Sequence, residues 1–523
     1  MAGGGLYVLV AYGSQNVLLS GNPDFTYFYT IIKKYSHFSF ESATIPLEGP
    51  RELFFDEPIQ LRAKIQRIGD LLSDLYFTFT LPDIYSKYFS GINSYRAQQY
   101  NFKWVRNIGA QIIQSAIFLI GGTQVQEFDS DYLISTAHID QDETQYNKWQ
   151  KIVGDIPEIY NPANGKYSGA STGTLGRTAL YPNVIITDST STTQTNFPSI
   201  PGRDITIPLS FWFSHNPSLA LPLISLQYHE CEVQLILRPI RDLYVLSDPG
   251  VPGINVRPGF KINPLNNLSE KLSGNVSYTT DNDPGIFIKN FLTDIGYDIP
   301  ILNTWPLNPR IQATYIYLTD DERRTFAVKP LTYIVKQVNK YTFENFTSRQ
   351  LFDLYTHNPV PRIIVIPRRT DYVRNLNAWT NFTNWWQYPS APFIEGNSNP
   401  LGYSGKLLAG LQEDIIRNLK ILCDGNEIQE IKPLSFFNEI SSWKYTSGIV
   451  PPGLAIYSFA LDTSKWMKPS GSLNTSRVKN FQIDIEPWPL VTDSKYAFDF
   501  NVYVESINFL VVEGGMGGMK YAI

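Results

Sequence analysis

Residues able to do chemistry are few in this sequence, and they are scattered. Five histidines, His37, His138, His215, His229 and His357, occur in 523 residues. None stands in an H-x-H or H-E-x-x-H arrangement that would turn two ring nitrogens toward one metal. The two cysteines, Cys231 and Cys423, are far apart, so there is neither a C-x-x-C pair nor a disulfide framework. His229, Glu230 and Cys231 are consecutive, but they lead into an alternating stretch, where successive side chains point to opposite faces. Gly169-Ala-Ser-Thr-Gly173 has the G-x-S-x-G spacing of a hydrolase elbow. That chemistry needs a strand before the serine and a helix after it, and here a Ser/Thr/Gly-rich loop surrounds the match. Asp129, Asp131, Asp140, Asp142 and Glu143 lack the spacing and the glycine of a calcium loop, and read as a solvated acidic surface. The expectation is a non-enzyme with no metal and no cofactor.

Other patterns point to binding. Arg362, Arg368, Arg369 and Arg374 surround the apolar run Ile363–Ile366, and Lys33 and Lys34 form a smaller basic pair. Such cations suit an anionic partner; equally, charges beside a strand block edge pairing. Trp379, Trp385 and Trp386, near Tyr388, suit a sugar-stacking or interface patch, or a plug under a long loop. Glycosylation sequons stand at Asn267, Asn275, Asn345, Asn381 and Asn474.

The elements that would position these residues are strands. Leu75, Phe77, Phe79 and Leu81 alternate with Tyr76, Thr78 and Thr80; Val233, Leu235 and Leu237, Phe481, Ile483 and Ile485, and Phe500, Val502 and Val504 do the same with their neighbours. This period of two marks half-buried antiparallel strands. Helical pattern is sparse, confined to Asp129–His138 and, more clearly, Leu407–Leu419. Hydrophobic residues make up 43%, charged residues only 17% and aromatics 14%, with 35 Gly and 35 Pro, a composition of strands punctuated by turns. A net charge of −5 argues against coating nucleic acid. The N-terminal stretch has no basic region before its apolar residues, and no apolar run nears the ~20 residues of a membrane-spanning helix. A soluble, cytosolically made protein is expected. Asn161–Pro201, Asp248–Pro300 and Asn375–Pro400 read as long loops. The chain also echoes itself: Ile117–Glu127 and Leu419–Glu430 both read strand, glycine turn, strand, with Gly122 matching Gly425.

Four blocks and a tail resemble the major capsid protein family of the nucleocytoplasmic large DNA viruses. They are Gly4–Gln15 with Leu19–Pro23 and Phe25–Phe38; Trp104–Gly109 leading into Ile120–Gln124; Ile207–Phe213 with Asn216–Leu223 and Leu226–His229; Tyr317–Arg323 with Ile456–Leu461, Pro469–Gly471 and Asn474–Arg477; and the glycine-rich Gly514–Gly518. Where many relatives carry Arg-Arg-His-Thr-Asn-Phe, this chain has Lys33-Lys-Tyr-Ser-His-Phe38. The resemblance implies an all-β fold of two tandem eight-stranded jelly-roll sandwiches. It divides the chain into an arm (1–24), a first jelly roll (25–242), a linker with an inserted loop (243–304), a second jelly roll (305–512) and a tail (513–523). It implies a shell subunit that associates with itself as a trimer and then with neighbouring trimers. Minor capsid and penton proteins would be further partners, with Lys33, Lys34, Arg368 and Arg369 as candidate contacts to them or to an inner viral membrane; no genome binding is implied. The location would be the virion, after assembly in the host cytoplasm or a viral factory. The competing readings are a secreted carbohydrate-binding or glycoside-processing β-sandwich protein, and a minor capsid protein of the same fold.

Overall fold

The computed structural model describes residues 3–30, 32–85, 102–162, 198, 200–247, 255–258, 260–263, 268–271, 287–293, 298, 300–384, 413–464, 468–490 and 496–521. The alternating runs become strands, and the strands form two sandwiches. In the first, β1 (Phe38–Ile45), β2 (Ile59–Lys64), β3 (Leu71–Leu81), β4 (Ile113–Ile120), β5 (Thr123–Phe128), β6 (Arg203–Pro208), β7 (Cys231–Leu237) and β8 (Arg310–Leu318) build sheets ordered β1-β8-β3-β6 and β2-β7-β4-β5. The second uses β9 (Leu331–Phe346), β10 (Gln350–Asp353), β11 (Arg362–Arg369), β12 (Ile416–Cys423), β13 (Asn426–Pro433), β14 (Ala455–Ser458), β15 (Phe481–Pro487) and β16 (Phe498–Glu513), ordered β9-β16-β11-β14 and β10-β15-β12-β13. The two orders are identical position for position, the double-sheet jelly-roll solution twice over. Short extra strands pair at the margins, among them β17 (Met516–Met519) beside β16.

Side-chain parity explains the layering. Along β2, Ile59, Leu61 and Ala63 are buried while Gln60, Arg62 and Lys64 are exposed, as one face inward requires. β11 is different, because all eight of its residues are buried. Its Ile363 and Val365 join the second sandwich's own core, while Ile364 and Ile366 join the core of the first. The β9-β16-β11-β14 sheet is therefore covered on both faces, once by its own partner sheet and once by the first roll.

The repeated hairpins are built alike. Gly121 and Gly122, and in the second roll Asp424 and Gly425, all have positive φ, which gives the two-residue turn whose twist suits paired strands.

Several boundaries differ from the sequence reading. β8 pairs with β1 from Phe38↔Leu318 to Ile45↔Ile311, and with β3 on its other side. Residues 310–318 thus complete the first roll, and the second begins at Leu331 rather than 305. Pairing across more than 200 residues leaves no local mark on the sequence. The tail is not free either: Met516–Met519 folds back onto Leu510–Glu513. The helix expected over 407–419 is, in its described part, the start of strand β12, with Ile416 and Leu419 facing the core. A register shift between Ile416 and Asn418 lets a helix-like spacing sit in a strand. The expected helix near 129–138 forms as α1 (Ser130–Asp140), and a second, unexpected one, α2 (Glu143–Val153), follows it. Of the three long loops, most residues lie outside the described ones.

The two rolls bring backbone against backbone at Gly448. Its backbone N–H donates to the Ile139 carbonyl at 2.8 Å. A Cβ there would lie 2.0 Å from the His138 carbonyl oxygen and 2.5 Å from that of Gln141. Gly448→Ala should therefore push backbone against backbone and cost about 1–3 kcal/mol. Gly518→Ala, where a Cβ meets nothing within 4 Å, should leave stability unchanged. Thermal melts of the two variants beside wild type check this.

Candidate functional site

Among the described residues, a dense set of charged side chains converges between the two rolls, around α1. Asp129 caps this helix, its Oδ1 accepting from the Tyr132 N–H at 2.9 Å. Asp131 stands in the first turn, where the helix dipole favours a carboxylate. Opposite, the even-numbered residues of β11 and the odd-numbered residues Asn501, Tyr503 and Glu505 of β16 point toward the first roll.

Arg368 meets Asp131 with both terminal nitrogens, at 2.6 and 2.7 Å, and also donates to the Trp379 carbonyl. Arg362 grips Asp140 in the same two-pronged way, at 2.5 and 2.8 Å, and adds a 2.7 Å bond to Glu505. Glu505 also accepts from the Tyr132 hydroxyl at 2.6 Å and from Lys336 at 3.2 Å. At the rim, Asp129 accepts from Tyr503 at 2.8 Å and from Lys340 at 2.7 Å. Four carboxylates thus face Arg362, Arg368, Lys336 and Lys340, each pair crossing from one roll to the other except Glu505's contacts with its own roll.

Burial decides the electrostatics. Arg362 and Glu505 are 0% and 1% exposed in their side chains. Burial alone would raise the Glu505 carboxyl, but the Arg362 guanidinium and the Lys336 ammonium outweigh it and hold it below its usual range. Asp131 is likewise held low by Arg368 against its own burial. For Lys336 burial wins and lowers the ammonium. Buried ion pairs contribute little net stability compared with well-packed apolar groups, but a lone survivor is costly. What the paired arrangement does is exclude every relative placement of the rolls that leaves a charge alone.

Most residues put forward from the sequence find other roles. Arg368 and Arg369 are interior and offer no face to an anionic surface. Arg369 points to the opposite side of β11, bonds Asp371 at 3.0 and 2.7 Å and lies 3.6 Å from the Tyr496 ring centre. Nor do these arginines guard an edge, because β11 lies between β16 and β14. Lys33 and Lys34 are exposed. Trp379 is buried, its Nε1 donating to the Asp242 carbonyl at 2.9 Å under the Arg238 guanidinium, so it is a plug between rolls and not an exposed aromatic. Trp385, Trp386, Asn267, Asn275 and the Gly169–Gly173 match lie outside the described residues. Asn345 is exposed, with positive φ, at a register shift near the end of β9. Asn381 is 1% exposed and accepts from Thr383, leaving no room for a glycan. His229 bonds the backbone of Gly517, and Glu230 pairs with Lys64, so the consecutive trio shares no site. Of the acidic cluster expected on the surface, Asp129, Asp131 and Asp140 are instead the anionic half of this seam, while Asp142 and Glu143 are exposed. Lys336 and Glu505 were unmarked in the sequence; Glu505 merely continues the polar parity of its strand.

Comparison with known proteins gives a consistent picture. Residues 26–268 match the family described as major capsid protein N-terminus, and residues 322–518 match large eukaryotic DNA virus major capsid protein. β8 lies in the gap between the two matches, and the second match begins after it and before β9. The chain is 23% identical to the major capsid protein of Phaeocystis pouchetii virus over 99% of both chains. It is 24% identical to that of Paramecium bursaria Chlorella virus 1, again over 99% of both. Among solved structures it is similar to a chain of the PBCV-1 virus capsid, with TM-score 0.62 and 17% identity over 95% of this chain and 100% of that one. The Faustovirus major capsid protein is similar as well, with TM-score 0.61 and 13% identity over 97% of this chain and 96% of that one.

Two measurements test the seam. Arg368→Met, which leaves Asp131 buried without its partner, should cost about 3–5 kcal/mol in urea unfolding, and adding Asp131→Leu should restore most of it. Acid should act in two stages. His138 bonds the Tyr146 hydroxyl at 2.8 Å, and burial lowers its ring to about 4. Its contribution is complete above pH ~6.5 and is lost as pH falls toward 4. Glu505 and Asp131, both held low, add losses below pH ~4.5. Burial lowers the His215 ring to about 4 as well, so melting temperature should fall from pH 6.5 downward and more steeply below 4.5, and His138→Phe should shrink the upper stage without changing the lower one.

Proposed function

Given that the chain belongs to the major capsid protein family of large eukaryotic DNA viruses, we propose that it builds its shell from closed rings of three copies. It is a capsid building block that associates with itself in the lattice of the virion. The observation that carries the ring is the pair of rolls with the same strand order, locked to each other by a buried seam. Three such chains place six similar sandwiches around one axis, a nearly hexagonal unit that tiles a surface, and closed rings leave no open growth within the unit. Interfaces inside it would be large and permanent, of order 2,000 Å² or more. Contacts between units can be weak individually because a shell multiplies them. No catalytic role is assigned.

The arm supports further partners. The arm together with the start of the stretch after it, from Gly3 to Ile32, carries one charge, Asp24, and is followed by Lys33 and Lys34. Its described residues are all exposed, including Leu9, Leu18, Phe28 and Ile32. An apolar segment of this length calls for cover. Minor capsid or penton proteins, or the inner viral membrane, would supply it during assembly in the host cytoplasm or a viral factory.

Light scattering behind a sizing column tests the ring. A species of about three chain masses that persists on dilution is expected, as obligate interfaces require; a folded monomer at every concentration would remove the proposal.

A further inference from the structure

Away from the ion-paired seam, the two rolls also meet around a short strand, Phe102–Trp104. Phe102 and Trp104 are buried in the core of the first roll, so Lys103 between them takes the opposite side. There it faces the second roll. Lys103, Trp104, Arg106, Tyr160 and Asn161 on one side, and residues 376–381 on the other, line a cavity of about 60 Å³. That is room for about four to six water-sized groups, the size of one tetrahedral oxyanion and too small for a nucleotide or a sugar.

The charges on this wall do not balance. Arg106 binds Asp155 through Nε and Nη2, at 3.1 and 2.8 Å, with its guanidinium over the Tyr160 ring. Asp155 is fully engaged, since it also accepts from the Asn107 N–H and from Gln150. Lys103 has no carboxylate. Its Nζ donates to Asn161 Oδ1 at 3.2 Å and has no other partner among the described residues. In the seam, by contrast, Arg362 and Arg368 each meet a carboxylate. Burial without an anion lowers the Lys103 ammonium to about 8. The neighbouring sequence offers no remedy: residues 86–101 and 163–187 carry Lys87, Arg96, Lys166 and Arg177 and no carboxylate. Two further wall residues hold unpaired polar atoms among the described residues, the Trp104 indole N–H and the Asn377 carboxamide oxygen. A space with such walls is polar, not a dry void.

We propose that this cavity binds one small oxyanion of the phosphate class, with Lys103 supplying the charge that holds it. Arg106 adds Nη1, the terminal nitrogen that Asp155 leaves free, as a second donor. Because the walls come from both rolls, a bound ion ties one roll to the other. This holds for a single chain, whether or not three chains close into a ring.

Equilibrium dialysis of the full chain against labelled inorganic phosphate, at neutral pH and constant ionic strength, tests the site. Wild type should bind one ion per chain. Lys103→Met should weaken binding roughly tenfold or more, the loss expected for a charge-assisted contact. Lys103→Arg, which keeps the charge, should stay close to wild type, and Lys329→Met, at an exposed position, should change nothing. Asn161→Asp, which gives Lys103 a carboxylate of its own, repeats the test from the other wall and should also abolish binding. Thermal melts provide a second readout. Phosphate stabilises any protein somewhat by exclusion from its surface, so the expected result is a saturating rise in wild type that Lys103→Met lacks. Without phosphate, Lys103→Met should melt at or above wild type, because it removes a cation that has no counter-charge. Glycerol 3-phosphate in place of phosphate identifies the source: equal binding shows that the site takes the phosphate end of an ester, and binding of inorganic phosphate alone shows that it takes the free ion. Wild type that binds neither at millimolar concentration overturns the proposal. So does binding that Lys103→Met and Asn161→Asp leave intact, since the ion would then lie elsewhere.

Discussion

A β-sheet covered on both faces has no place for a charge without a partner, and the β9-β16-β11-β14 sheet is covered on both faces. The rest of the molecule follows from that constraint. Arg362 and Arg368 share parity with Ile364 and Ile366, so they are carried into the first roll along with them. They need carboxylates at fixed points, and α1 supplies Asp140 and Asp131 at its two ends. The apolar residues give the junction its free energy, while the ion pairs select one placement among the many that would bury similar area. A shell subunit needs that selection, since an error in the angle between rolls would be carried into every neighbouring contact.

Much of the architecture was legible in the residues. Alternation at 75–81, 233–237, 481–485 and 500–504 marked strands that the structure contains. The echo between Ile117–Glu127 and Leu419–Glu430 marked hairpins that occupy equivalent places in the two rolls. The misreadings have specific causes. Ile416 and Leu419 satisfy both a helical and a bulged-strand spacing, and only pairing with β15 and β13 chooses between them. Residues 310–318 alternate like any strand, and nothing local says that their partners lie at 38–45 and 71–81. The site was harder still. Asp131 looks like a surface carboxylate because its neighbours in sequence are polar, and its partner is 237 positions away.

The sequence by itself determined the class of molecule: an all-β chain, low in charge, repeating one unit. Those properties reside in composition and in periods of two, which short windows carry in full. The tertiary structure alone decided which charges are buried, where one roll ends and the next begins, and which of two similar surfaces is covered. Each of those depends on contacts between residues far apart in the chain, and a carboxylate's solvation is set by what the fold brings against it, not by the residues beside it.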